Sequence, residues 1–108
     1  MVMSSSLEMI LEIKRKNPYS EKKSIQELRN EHLNNGASIP LPDATKSDKV
    51  NAYGVPAEWI SCKGMDSSKG VFMFIHGGGY YRGSIEATRS TAARISSVSG
   101  MRCLSIGY

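Results

Sequence analysis

Cysteine is scarce: the 108 residues hold two, Cys62 and Cys103, 41 positions apart. That excludes a disulfide-stapled scaffold and any CxxC or zinc-finger spacing, and both thiols are expected to be reduced and buried. Nothing in the residues asks for a metal or an organic cofactor. No apolar run is long enough to span a bilayer, so stable membrane insertion is not expected. The opening residues lack the basic stretch of a secretory leader, and Glu8 and Glu12 interrupt the apolar positions that follow. A cytoplasmic protein is the default expectation. Charge of one sign is lacking too: residues 1–33 carry six Lys/Arg against five Asp/Glu, and residues 34–108 eight against five. With a single tryptophan and no basic stripe, a nucleic-acid partner is not expected.

Glycine, by contrast, is concentrated where packing cannot explain it. Val71–Ser84 reads Val-Phe-Met-Phe-Ile-His-Gly-Gly-Gly-Tyr-Tyr-Arg-Gly-Ser. Five apolar residues, Val71 to Ile75, are too short for a typical helix and suit a strand buried on both faces. Gly77, Gly78 and Gly79 lack Cβ atoms, so another molecule can approach their N–H groups closely. Ser84 is placed to cap a helix. Strand, bare backbone and helix N-terminus together make an anion-binding edge at the carboxyl end of an α/β sheet.

Phe72–Tyr80 resembles the HGGG oxyanion motif between strand β3 and helix αA of α/β-hydrolases. Gly54–Ile60, Gly83-Ser84 and Cys103–Tyr108 are similar to the hormone-sensitive-lipase-like branch, with the bacterial carboxylesterases and ε-lactone hydrolases nearest. The resemblance is close over residues 49–108 and loose before residue 45. The family often carries Thr-His shortly after the Ser84 position, where this chain has Ala87-Thr88. The resemblance implies an α/β fold comprising the front of a hydrolase: cap helices and linker in residues 1–45, and the first part of the core in residues 46–108. It also implies hydrolysis of a small carboxylic ester or lactone by serine acyl transfer. Gly78 and Gly79 would donate the oxyanion-hole N–H groups, Gly77 would shape the turn, and His76 would brace the loop.

Along the chain, Ser5-Ser6-Leu7-Glu8 is a capping-box pattern with Leu7, Ile10 and Leu11 at helical spacing, and Asn17-Pro18 stops that helix. Ser24-Ile25-Gln26-Glu27 opens a second helix, which Asn35-Gly36 is expected to end. Lys14-Arg15-Lys16 and Lys22-Lys23 are solvated helix ends, and His32 is expected to be solvated too. Ile39–Asp43 is an extended linker. Lys49–Ala52 and Ala57–Cys62 form an antiparallel hairpin at a sheet edge, with Pro56 in the turn. After the turn Asp66–Gly70 and the central strand, Ser84 caps a helix whose apolar face holds Ile85, Ala92, Ile95 and Val98, with small Ala92 and Ala93 allowing close packing. Gly100 closes it. Met101–Ile106 completes a βαβ unit.

The chain contains no G-x-S-x-G, so nucleophile and triad are not found in it. His76 could be cast as a general base oriented by Asp43, Asp48 or Asp66. Its place beside the glycines favours loop support, since the family's catalytic histidine comes from a later loop. Tyr80 and Tyr81 are pocket walls. A dinucleotide cradle is disfavoured, because Arg82 stands where G-x-G-x-x-G needs its last glycine. The other alternative is an inert fragment or a partner-binding module. With Met101–Ile106 expected to form an open apolar edge, the chain alone should be inactive and self-associating.

Overall fold

The computed structural model describes residues 4–18, 23–65 and 67–108. The order of elements is α1 (Ser5–Lys16), α2 (Ile25–Ala37), β1 (Lys46–Ala52), β2 (Val55–Ser61), β3 (Val71–Ile75), α3 (Ile85–Ser99) and β4 (Arg102–Ile106), with a 3₁₀ turn at Ser67–Lys69. The four strands form one sheet in the order β1-β2-β4-β3. β1 and β2 are an antiparallel hairpin, β4 runs antiparallel to β2, and β3 lies parallel to β4.

The hairpin turn is Tyr53-Gly54, both with positive φ (54° and 89°), which matches the twist of the flanking strands. Asn51 Oδ1 accepts the Gly54 N–H at 2.5 Å. Pro56 lies inside β2 opposite Asn51, not in the turn. Its carbonyl accepts the Gly107 N–H at 2.7 Å, on the β4 side. In an antiparallel strand a residue's N–H and C=O point the same way, so the missing proline donor costs the β1 ladder nothing.

β4 sits between β2 and β3, so the open edge belongs to β3 and not to Met101–Ile106. The expectation that Val71–Ile75 is buried on both faces also fails. Phe72 and Phe74 pack on the core of Ile60, Cys62, Ala92, Ala93 and Cys103. Val71, Met73 and Ile75, on the opposite face, are 61%, 61% and 63% exposed. α3 covers one face of the sheet, and no described helix covers the other.

α3 matches its expected limits because both signals are local. Ser84 Oγ accepts from Ala87 N at 3.1 Å, and Gly100 closes the helix in the left-handed conformation. Its buried face is made of Ile85, Ala87, Ser90, Ala92, Ala93 and Ser96. Ile95 and Val98 instead point away, 43% and 90% exposed. Small side chains let the helix lie close to the sheet, so the larger ones are not needed there. Glu58, fully buried on β2, is clamped by Arg89 of α3 through two charge-assisted bonds of 2.6 and 2.8 Å.

α2 opens with a complete capping box between Ser24 and Glu27. It runs through Asn35-Gly36 to Ala37, where the sequence suggested a stop. Gly36 serves a crossing instead: a Cβ there would stand 2.0 Å from the Ala87 carbonyl oxygen of α3. α1 is capped by Ser4, one residue earlier than the expected box, and buries no residue. Leu7, Met9, Ile10 and Ile13 are all more than two-fifths exposed. Lys22 and Asp66, named in the sequence expectations, lie outside the described residues.

Candidate active site

β3 delivers His76 and the three glycines to the carboxyl end of the sheet. The chain then turns tightly, with the N–H groups of Tyr81 and Arg82 donating to the Gly78 carbonyl at 3.3 and 3.1 Å. Gly78 has φ +154°, and a Cβ there would meet the Arg82 carbonyl oxygen at 1.6 Å. Gly83, with φ +109°, would meet Gly77 O at 2.3 Å and His76 Nδ1 at 2.5 Å. Only glycine fits at either position. Tyr80 also takes a positive φ, 69°, without being glycine, and its ring is fully exposed. Among the described residues, the N–H groups of Gly77, Gly78 and Gly79 have no acceptor.

His76 is 4% exposed. Its Nδ1 lies 3.0 Å from the Gly77 carbonyl, which can only accept, so Nδ1 carries the proton. Nε2 is buried with no partner among the described residues. Tyr108, just past β4, stacks on the imidazole with ring centroids 4.2 Å apart and planes 2° from parallel. The Tyr108 hydroxyl donates to the His76 carbonyl. One tyrosine therefore grips both the ring and the backbone of the residue that starts the loop. Neither Asp43 nor Asp48 is bonded to His76.

α2 forms the opposite wall of a cleft of about 720 Å³ that the glycine loop floors. Gln26, Arg29, Asn30, His32 and Leu33 line it from the helix, with Tyr80, Tyr81, Arg82, Ser84 and Tyr108 completing the rim. Arg29 Nε donates to the Tyr81 carbonyl at 2.5 Å, tying helix to loop. His32 is not solvated as expected: it is half-buried in this wall, and its Nε2 has no partner among the described residues. Leu28, His32 and Gly36 recur every four residues and are α2's less exposed positions. That spacing was the available signal for His32.

All four residues proposed from sequence, His76, Gly77, Gly78 and Gly79, come together in this cleft. Arg29, His32 and Tyr108 were not proposed. Tyr108 is 32 residues from His76 and meets it only because β4 pairs with β3. Both thiols are free and buried, Cys62 donating to the Ala93 carbonyl at 3.3 Å. Burial pushes the Cys103 thiol up to about 11. No group of three or more His, Cys, Asp or Glu able to hold a metal occurs among the described residues. No described helix is long and apolar enough to cross a membrane.

No family model matches the chain. Among curated proteins, the FAD-linked oxidoreductase pytB of Aspergillus terreus is 36% identical over 72 residues, which is 64% of this chain and 9% of that protein. The match touches too little of that protein for its name to bear on this chain. Solved structures match far more fully. An esterase from the bacterial hormone-sensitive lipase family is 30% identical with a TM-score of 0.82, covering 98% of this chain and 35% of the esterase. EstE5-PMSF matches at 24% identity and TM-score 0.85, with 98% and 36% coverage. An esterase/lipase from an uncultured bacterium matches at 23% identity and TM-score 0.82, again with 98% and 36% coverage. The last two likenesses speak for the fold alone. The chain spans about a third of the length of the structures it matches. Its sheet order and the match over 98% of its length show a mixed α/β fold that corresponds to the N-terminal third of hormone-sensitive lipase family α/β-hydrolase structures.

Proposed function

We propose that this segment supplies the oxyanion-binding half of a carboxylic-ester hydrolase site, acting on a small ester or lactone by serine acyl transfer. The observation that carries the reading is the set of unclaimed N–H groups at Gly77, Gly78 and Gly79, on the floor of the cleft. When a nucleophile adds to an ester carbonyl, the π pair moves onto oxygen, and the resulting oxyanion needs donors already in place. Gly78 and Gly79 are assigned as those donors, Gly77 as the turn, and His76 as the brace. Each donor is worth about 3–4 kcal/mol of barrier. The two helices of residues 1–45 are assigned as a cap, a role supported by the α2 wall of the cleft.

The test is a chimera in which this chain replaces the matching third of a hormone-sensitive-lipase-family esterase. It should hydrolyse a short-chain p-nitrophenyl ester, and Gly78→Val should lower kcat by about a hundredfold or more. Wild-type kcat in the Gly78→Val chimera would overturn the oxyanion assignment. The 108 residues alone should turn over no ester, since they contain no G-x-S-x-G. A second reading, an inactive module that pairs with another chain, is favoured by the open edge of β3. Turnover by the chain alone, abolished by a serine-directed phosphonate, would overturn both.

A further inference from the structure

The cleft has a charge character that ester hydrolysis as such does not require. Among the described residues, its lining holds two arginines, Arg29 and Arg82, and two histidines, but no aspartate or glutamate. The described acids near it are engaged or turned elsewhere. Glu27 closes the α2 capping box, Glu31 pairs with Lys23, Glu58 is sealed against Arg89, and Glu86 lines a separate small recess beside Gly36. The start of α3 at Ser84 also borders the cleft, adding the positive end of a fifteen-residue helix. Arg29 is fixed in place by one donor, its Nε on the Tyr81 carbonyl, and the terminal nitrogens of its guanidinium have no acceptor among the described residues. The Arg82 guanidinium sits 5.4 Å from the Tyr81 ring centroid, on the same rim.

We propose that the cleft selects esters bearing a second, ionised carboxylate, held by Arg29 and Arg82 while the ester carbonyl lies at the glycine loop. This rests on the ester-hydrolase reading and adds the substrate class. A neutral ester offers two guanidinium groups no charge to pair with, whereas a half-ester of a dicarboxylic acid places one charge at the rim and one carbonyl at the floor. A planar guanidinium fork matches a carboxylate in two parallel bonds.

Binding can be measured on the chain as it stands, because esters should persist through the titration without a nucleophile. The probes are monomethyl succinate, dimethyl succinate and inorganic phosphate, followed through the amide signals of Gly77–Gly79 and the Arg29 Nε–H signal. The half-ester should bind about fivefold more tightly than the diester at low ionic strength, and the advantage should shrink as salt is added. Arg82→Gln, at an exposed position, should remove most of the preference, and Arg29→Gln should do the same. Equal binding of half-ester and diester overturns the charge selection while leaving the ester reading standing. Failure of both esters to perturb the glycine amides overturns the two readings together. Tighter binding of phosphate than of the half-ester overturns the carboxylate assignment. Full preference in both arginine variants overturns the residues named.

Discussion

At the scale of single residues, the site depends on atoms that are absent and on charges that cannot be separated. Gly83→Ala puts a methyl group into the Gly77 carbonyl and the His76 ring at a φ of +109°. It should cost about 2 kcal/mol or more in urea unfolding, with the loss of the Tyr108–His76 stack visible in the ring proton shifts. Glu58→Gln breaks one partner of a pair whose carboxylate is buried while Arg89 keeps about a quarter of its side chain in solvent. The expected loss is about 3 kcal/mol, at the low end for such pairs because Arg89 can rehydrate. Cys103 sets a pH dependence. Its folded value of about 11 lies above the ordinary 9.0, so the unfolded chain loses that proton first as pH rises. The contribution is complete below about pH 9 and is lost between there and about pH 11. Cys103→Ala should flatten that limb of a stability-versus-pH curve.

Elements differ in how firmly they are held. α2 crosses α3 at Gly36, so Gly36→Ala should force the helices apart, costing about 1–3 kcal/mol and freeing the Arg29 tie to Tyr81. Removing α1, which buries nothing, should change unfolding free energy by less than about 1 kcal/mol. A chimera lacking residues 1–36 should change KM and substrate preference more than kcat; an unchanged KM would count against the cap. What was legible in the sequence follows the same division. Ser84, Gly100, and Ser24 with Glu27 act within a turn of the helices they delimit, so α3 could be bounded and α2 started from the residues alone. Gly36 looked like a terminator because its reason for being glycine lies 51 positions away, at Ala87. The glycine loop was legible because His76 and the three glycines are consecutive residues. Arg29 and Tyr108 were not, since each reaches the cleft only through tertiary packing, and His32 was signalled only by its four-residue spacing from Leu28 and Gly36. The place of β4 in the sheet is likewise set by pairing partners that no local pattern names.

The whole molecule has a finished side and an unfinished one. α3 and α2 stack over one face of the sheet, while Val71, Met73 and Ile75 form an apolar row on the other, beside the unpaired edge of β3. Such a surface should drive concentration-dependent association of the isolated chain, measurable by sedimentation velocity, and Met73→Lys should shift it toward monomer. A single monomeric boundary at all concentrations for the unaltered chain would contradict this. The sheet order has a separate consequence for how the chain is made. Of these four strands β4 leaves the ribosome last, yet it is the one that joins the β1–β2 hairpin to β3. Until residue 106 has emerged, the earlier strands have no common neighbour, and His76 lacks the tyrosine that stacks on it. Assembly of sheet and loop therefore waits for a late, long-range pairing, and a nascent chain arrested before Arg102 would hold the hairpin and helices without the site.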